Sequence, residues 1–551
     1  MFVTDDLGAA DLGFRGGEAR TPNLDQMAAE GLRLDRFYSQ PLCSPTRAAL
    51  LTGRSPVRYG LQYRPLRPWD RRGLPTEEQI LPELLKQAGY RTAVIGKWHL
   101  GHGLPEHHPN QRGVDHFYGM LTGAADYWTH RRGQALDWQR NGAPVEEEGY
   151  ATALLGAEAA RWIGEVAATP ESGDRPPPYF LMLAFSAPHT PLQAPPEIEA
   201  DYAGVEPPRR RTYLAMVDAM DRAVGEVLDA VDRSGGRQRT LVLFLNDNGG
   251  ARREGADNGE LRGGKGTCFE GGIRVPALVR WPGAVPSGGS DSAPSGVLDL
   301  LPTLARAAGA PLPAAELDGV DLLPRWAAGG RDPEPRPLYF GALDERFLSQ
   351  AVLEGDWKLL RRQPLVLGED GVARPAGPVE EWLLDLATDP AERVNLLESE
   401  PATSAARRDR MGRQLDDWAG LYDGPAPEIR ADPPEGWEPP ADWGSVPRAP
   451  AKRPSFVVLV ADDLGWGDVG YQGGDIPTPS IDRIAAEGVR FDRFQTFALC
   501  TPTRAALLTG VDPVRLGLAE SPLRPWEDDG LPADAPTLAE LLGAAGYDTA
   551  C

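Results

Sequence analysis

The chain has 551 residues, 41% of them hydrophobic and 25% charged, with a formal net charge of −23. That length exceeds what one hydrophobic core spans, so two or more domains are expected, and the acidic balance excludes nucleic acid as a partner outside a local basic pocket. No apolar run reaches the ~20 residues that span a bilayer, no basic and apolar leader stands at Met1-Phe2-Val3-Thr4, and four cysteines make no disulfide framework. Localisation is therefore not legible from the start of the chain.

Apolar runs of strand length recur, each ending in polar residues. Phe456 to Val460 precedes Asp462-Asp463, Thr92 to Ile95 precedes Lys97 and His99, Phe180 to Phe185 precedes His189, and Leu241 to Leu245 precedes Asp247-Asn248. Between them, Thr21 to Leu32, Gln79 to Ala88, Thr212 to Val231 and Asp299 to Ala308 show apolar spacings of three to four, which predict helices. Apolar strands alternating with helices predict a mostly parallel sheet covered on both faces, with ligands bound beyond the carboxyl ends of the strands. From about Pro335, Leu338 to Phe340, Ser349 to Leu353 and Trp357 to Leu360 predict a smaller antiparallel subdomain.

Asp423 to Pro454 is dense in Pro, Trp and Gly and predicts an extended linker. After it the opening of the chain returns in constant register: Asp5, Cys43, Trp69 and Tyr90 recur as Asp462, Cys500, Trp526 and Tyr547, each 457 residues on. The expected organisation is a first domain over 1–334, a subdomain over 335–422, a linker over 423–454 and the truncated start of a second copy over 455–551. Met1, Phe2 and Val3 align with Val458, Leu459 and Val460, so the first copy's opening strand is expected to be incomplete. Phe456 to Val460 is then a candidate to fill the vacant place by exchange.

Asp5-Asp6 and Asp247-Asn248 offer hard oxygen ligands without accompanying cysteine, a set suited to Ca²⁺ or Mg²⁺ rather than Zn²⁺. Either pair alone also reads as a helix cap or turn; the two together at one sheet edge favour ligands. Cys43 precedes Pro45 and Arg47 at the first turn of an expected helix, where the dipole lowers a thiol's pKa or stabilises an anionic substrate. Only five of the 57 basic residues are lysine, so Lys97 and Lys265, each inside a polar motif, stand out. All seven histidines fall between His99 and His189.

The run Cys43-Ser44-Pro45-Thr46-Arg47, followed by a helix and Thr52-Gly53, resembles the hallmark of the formylglycine-dependent sulfatases. The resemblance extends through Gly96-Lys97-Trp98-His99-Leu100-Gly101, Ala187-Pro188-His189-Thr190-Pro191, Asn246-Asp247-Asn248-Gly249, Arg262-Gly263-Gly264-Lys265-Gly266-Thr267 and Leu384-Asp385-Leu386, covering roughly residues 1 to 400 in order. It implies an alkaline-phosphatase-like α/β sandwich and hydrolysis of sulfate esters, in the first instance of sulfated carbohydrates or aryl sulfates. A maturation enzyme would oxidise Cys43 to formylglycine, whose hydrate is the family's nucleophile. Asp5, Asp6, Asp247, Asn248 and the modified Cys43 would hold a divalent cation, usually calcium, with Mg²⁺ as the alternative.

By the same resemblance Lys97 and Lys265 would bind sulfate oxygens, and Arg47 would orient the hydrate and buffer the carboxylates. His189 would protonate the departing alcohol and His99 would deprotonate the hydrate. Gly60-Leu61-Gln62, Asp126-Tyr127-Trp128 and Pro191-Leu192-Gln193-Ala194-Pro195 look like the arylsulfatase B branch, which acts on N-acetylgalactosamine 4-sulfate esters. Phosphodiester and phosphonate hydrolases that share fold, metal site and formylglycine are the alternative activity, and an inactive fragment is the alternative to an enzyme. The second copy carries Asp462, Asp463, Cys500, Pro502 and Arg504 but no counterpart of Lys97, His99, His189, Asp247, Asn248 or Lys265, so it does not complete a site; Cys500 remains a candidate for modification.

Overall fold

A computed structural model describes residues 1–169, 176–330, 336–344, 346–368, 372–422, 424, 429–430, 433, 437–440, 442–443, 455–491, 493–524, 526–544, 547 and 549–550. Pro335, most of the stretch 423–454 and Cys551 lie outside these. The chain divides into two units, Met1–Ala449 and Pro450–Cys551.

The first unit is built on a ten-stranded sheet. In chain order its principal elements are β1 (Phe2–Thr4), α1 (Pro22–Glu30), β2 (Leu32–Leu34), α2 (Cys43–Thr52), α3 (Leu81–Gln87), β3 (Arg91–Lys97) and β4 (His116–Met120). They continue with α4 (Ala151–Ala167), β5 (Tyr179–Ala184), α5 (Pro208–Arg233), β6 (Val242–Asn246), β7 (Ala277–Arg280) and α6 (Leu300–Ala307). The central order is β2-β7-β6-β1-β5-β3-β4. The five strands from β6 to β4 run parallel, while β7 is antiparallel to both β6 and β2.

Alternation along each strand feeds two cores, because successive side chains leave opposite faces of a sheet. Phe2, Ala93, Ile95, Leu181 and Leu183 point to the face covered by Leu24 and Met27 of α1, Leu155 and Ile163 of α4, and Val217 and Val224 of α5. Val3, Val94, Met182 and Ala184 point to the face covered by Ala49 and Leu50 of α2, Leu81 and Leu84 of α3, and Leu301 of α6. Each buried Leu, Ile or Val contributes roughly 1.5–3 kcal/mol relative to exposure, which is why strands buried on both sides read as unbroken apolar runs. Helix α4 was not among the predicted elements, although Leu155, Ala159, Ile163 and Val166 are buried at helical spacing.

The opening strand, expected to be incomplete, has partners on both sides. β1 pairs on both sides, Phe2 and Val3 with Leu183 and Ala184 of β5, and Phe2 to Thr4 with Phe244 to Asn246 of β6. Phe456 to Val460, the run expected to fill that place, forms no strand. The strands that flank β1 have no counterpart in 455–551, so these residues lack a ladder to join. Among its described residues the second unit has helices α8 (Pro479–Glu487), α9 (Cys500–Thr509) and α10 (Leu538–Ala544) and no strand.

Within the first unit, β8 (Pro337–Leu343), β9 (Phe347–Glu354), β10 (Trp357–Leu367) and β11 (Glu380–Asp385) form the antiparallel subdomain, followed by α7 (Pro401–Ala419). One face packs Leu338, Phe340, Leu353 and Leu360 on Tyr38, Phe269 and Ile273. The other buries Val352, Leu359 and Leu383 under Met411, Leu415 and Trp418 of α7. Part of the stretch expected to be an extended linker is packed: Ile429–Arg430 pairs with Val372–Ala373, and Trp443 is 7% exposed against the His102 ring, 5.1 Å between centroids. Its indole ring gains more by leaving water than an extended chain offers.

Candidate active site

Four neighbouring parallel strands end in the residues singled out from the sequence. Asp5 and Asp6 follow β1, Lys97 closes β3 with His99 two residues on, His189 follows β5, and Asp247-Asn248 follows β6. Cys43 opens α2, whose carboxyl end is turned by Gly53 at φ 64°, and Lys265 reaches the same place from a loop. Asp6 and His99 hold φ values of 67° and 56°, a region that side chains other than Gly enter at a cost. Both turn the chain sharply just past a strand end.

Cys43 Sγ lies 3.3 Å from His99 Nδ1, and His99 Nε2 lies 2.9 Å from the Leu66 carbonyl oxygen. A carbonyl only accepts, so Nε2 carries the hydrogen and the Nδ1 lone pair faces Cys43. Ser44 Oγ donates to the His99 carbonyl at 3.0 Å. His189 Nδ1 lies 2.7 Å from the Thr190 carbonyl oxygen, which makes Nδ1 its donor and leaves Nε2 facing Asp6 Oδ2 at 3.7 Å. Tyr127 OH donates to the His189 carbonyl at 2.9 Å.

Charge pairs join these groups. Arg47, 1% exposed, donates to Asp247 Oδ2 from Nε at 3.1 Å and from Nη2 at 2.9 Å, and to the Lys97 carbonyl from Nη1 at 2.6 Å. Lys97 Nζ pairs with Asp5 Oδ2, and Lys265 Nζ with both Asp6 oxygens at 2.7 and 2.9 Å. Asn248 Nδ2 donates to Asp6 Oδ1 at 2.8 Å.

Burial and charge pull in opposite directions here. Burial pushes the Asp5 carboxyl up, but Lys97, His189, Lys265 and Arg47 outweigh it and the net shift is down. Burial and the neighbouring Asp5 push Asp247 up to about 7 against Arg47 and Lys97. His99 is lowered by burial and Lys97, and His189 by burial and Lys265 against the opposing pull of Asp5 and Asp6. For Cys43, burial raises the thiol against Lys97 and Lys265. The helix start therefore does not make this a reactive thiolate, contrary to one of the two expectations from sequence; loss of solvent outweighs the cations.

Asp5 Oδ1, Asp247 Oδ1 and Asn248 Oδ1 are buried with no hydrogen-bond partner. Buried polar atoms are rarely left so, and hard oxygens of this kind suit a divalent cation. A second grouping overlaps them: ligand atoms of Asp5, Asp6 and His189 lie within 4.8 Å of one another, although the family resemblance implies proton transfer for His189.

The sulfatase family model matches residues 1–310 and 454–551. The chain belongs to the sulfatase family. Both matched stretches of this sulfatase contain the Cys-x-Pro-x-Arg run. Mouse arylsulfatase J is 33% identical over 72% of this chain and 72% of its own length, dog N-acetylgalactosamine-6-sulfatase 36% identical over 62% and 68%, and bovine arylsulfatase A 37% identical over 72% and 83%. Among solved structures, Ps i-CgsB in complex with k-i-k-neocarrahexaose superposes with a TM-score of 0.68 at 33% identity, covering 77% of this chain and 92% of that one. PsFucS1 sulfatase from Pseudoalteromonas sp. gives 0.63 at 26% identity, covering 77% and 90%. The architecture is the alkaline-phosphatase-like fold, and the chain is a sulfuric ester hydrolase of the arylsulfatase kind. No helix among the described residues is long and apolar enough to cross a membrane.

Three features of the sulfatase site escaped the sequence. The Leu66 carbonyl sets the His99 tautomer, and a backbone atom leaves no residue-type signal. Asn246 braces the β6 end, its Oδ1 accepting from Thr4 Oγ1 at 2.8 Å and Leu7 N at 3.2 Å. Lys358 is fully buried between Glu270 at 3.0 Å and Glu392 at 2.5 Å; Glu392 Oε2 accepts from Glu270 N at 2.6 Å, which ties the Lys265-bearing segment to the antiparallel subdomain. The scarcity of lysine that marked Lys97 and Lys265 marks Lys358 equally.

Proposed function

We propose that the first unit hydrolyses sulfate esters of carbohydrates, with Cys43 converted to formylglycine and a divalent cation, Ca²⁺ by preference, held by Asp5, Asp6, Asp247, Asn248 and the modified side chain at 43. One observation carries the reading: Cys43 Sγ stands 3.3 Å from the lone pair of His99 beside three buried oxygens that lack partners. Carbohydrate is favoured because dog N-acetylgalactosamine-6-sulfatase and Ps i-CgsB bound to a neocarrahexaose are among the relatives.

When bound, the cation supplies positive charge against the sulfate and the hydrated aldehyde supplies a hydroxyl nucleophile in place of the thiol. The chain's own residues do the rest. Lys97 and Lys265, both ammonium donors in the Cys43 cleft, bind sulfate oxygens and offset the charge that grows on them. His189 Nε2 gives a proton to the departing alcohol oxygen; its lowered pKa makes it a readier donor once protonated. His99 Nδ1, neutral and aimed at position 43, takes the proton whose loss expels sulfate. Arg47 fixes Asp247 and the end of β3 in one bidentate grip.

Coexpression with a formylglycine-generating enzyme, peptide mass spectrometry at Cys43 and assay on 4-nitrophenyl sulfate test the reading. Turnover of the sulfate ester well above that of a matched phosphate diester is expected, and verified formylglycine without sulfate release would sink it. Cys500 is exposed on the second copy, so the same mass spectra should also show its modification.

A further inference from the structure

Asn258 lies in the loop between β6 and β7, seven residues before Lys265, and is 2% exposed. Its Oδ1 accepts from Gly250 N at 3.1 Å and from Ala9 N at 3.4 Å, and its Nδ2 donates to the carbonyls of Gly250 and Gly263, both at 3.2 Å. Two N–H groups on one side and two carbonyls on the other fix which way the amide points. A carboxamide has two acceptor sites and two donors, so its whole capacity goes to three separate backbone segments. Each segment carries a residue of the candidate site: Gly250 stands two residues past Asn248, Ala9 three past Asp6, and Gly263 two before Lys265.

Irregular loops have no ladder to satisfy their buried backbone groups, so a side chain must do it. The same three segments also touch directly. Ala251 N donates to the Asp6 carbonyl and Lys265 N to the Gly250 carbonyl, each at 3.3 Å. The junction is too tight for further side chains: a Cβ at Gly250 would meet Gly8 Cα at 2.6 Å and Asn258 Oδ1 at 2.7 Å, and one at Gly264 would meet the Gly250 oxygen at 2.7 Å. At the other end of these loops, Lys265 Nζ reaches the Asp6 carboxylate at 2.7 and 2.9 Å, and Asn248 Nδ2 reaches it at 2.8 Å. A shift in any one loop is therefore felt by the other two.

We propose that Asn258 is a positioning residue that couples the two halves of the site. It holds Asp6 and Asn248, two of the proposed cation ligands, in one register with the sulfate-binding Lys265, so that cation and sulfate each favour the other's binding. The proposal rests on the sulfatase reading and adds a linkage to it. Groups that hold a metal's ligands govern its affinity, and a coupling between two ligands is reciprocal.

The test titrates formylglycine-bearing protein by calorimetry with calcium chloride, and with sodium sulfate in the presence of either chelator or saturating Ca²⁺. In Asn258→Ala the Ca²⁺ Kd should rise about tenfold, and the factor by which Ca²⁺ tightens sulfate binding should fall about fivefold. Asn258→Asp keeps the shape and the acceptor atoms but loses both donors; it should shift both readouts the same way, and it serves if the alanine variant does not fold. Ile163, 1% exposed, lines a cavity with Met1 and Phe2 at the amino ends of the strands. Ile163→Val should lower the melting temperature and leave both readouts within about twofold. In the wild type, Ca²⁺ should slow amide exchange at Lys265 N–H together with Gly250 N–H, a reading that needs no variant. An unchanged linkage factor in the Asn258 variants, an equal change in Ile163→Val, or Ca²⁺ protection confined to Gly250 overturns the coupling. A wild type that shows the linkage but releases no sulfate from 4-nitrophenyl sulfate leaves the coupling standing and sinks the sulfatase reading, whereas one that binds no Ca²⁺ overturns both.

Discussion

Removing Arg47 should be among the most damaging single changes in the first unit. Its guanidinium and the Asp247 carboxylate are 1% and 0% exposed and share two hydrogen bonds, with a third to the Lys97 carbonyl. Arg47→Ala strands a buried carboxylate beside Asp5, and breaking a buried pair in this way costs about 3–5 kcal/mol. Asp247 is already pushed up to about 7 with Arg47 in place; without it the carboxyl takes a proton more readily still. Asp247→Asn removes the charge that Arg47 answers, so the double variant should lose less than the sum of the singles, with a coupling of about 2–3 kcal/mol. Urea unfolding of chelator-treated protein, followed through the tryptophans of the first unit, measures all four corners of the cycle. A loss below about 1 kcal/mol for Arg47→Ala, or singles that add within about 0.5 kcal/mol, would refute the argument.

Stripping divalent cations should abolish 4-nitrophenyl sulfate turnover and lower the unfolding midpoint. Ca²⁺ at a hundredfold excess over its Kd should restore about 2.7 kcal/mol, and indifference to chelator would contradict a cation at the three unpartnered oxygens. Deleting residues 450–551 should leave metal affinity, melting temperature and aryl sulfate kinetics of the first unit within about twofold, because β1 already pairs on both sides; a large loss would revive strand exchange. Asp221, 1% exposed, accepts from Asn23 N and Leu24 N at the start of α1 and is raised by burial from 3.8 to about 6. The folded state thus holds that proton more tightly than the unfolded one. Stability is lost as pH rises from about 4 to 6, by about 3 kcal/mol, and Asp221→Asn should gain on the wild type across that window. A difference independent of pH would refute it.

Much of the candidate site was legible because a parallel sheet places the carboxyl ends of its strands along one edge. Thr92 to Ile95 and Leu241 to Leu245 read as strands from local apolar runs, and the polar residues after them were bound to meet wherever the strands paired. Helices α1, α3, α5 and α6 followed from spacing in the same way, whereas α7 was passed over, its buried stripe being only Ser404, Met411, Gly412, Leu415 and Trp418.

Other features depended on groups distant in the chain. Three residues, Phe2 to Thr4, are a strand only because β5 and β6, some 180 and 240 residues away, stand on either side; the longer apolar run Phe456 to Val460 lacks such neighbours and is none. The direction of the Cys43 shift reversed one expectation because desolvation depends on everything packed around the thiol, while the helix start that favoured ionisation was local. Lys358 between two glutamates is likewise a product of segments brought together. The sequence by itself determined which residue types stand at which strand ends, since periodicity and motif spacing are local. Only the tertiary structure decided which charges are paired, which are left for a ligand and how far each is shielded from water, since pairing and desolvation are properties of the packed whole.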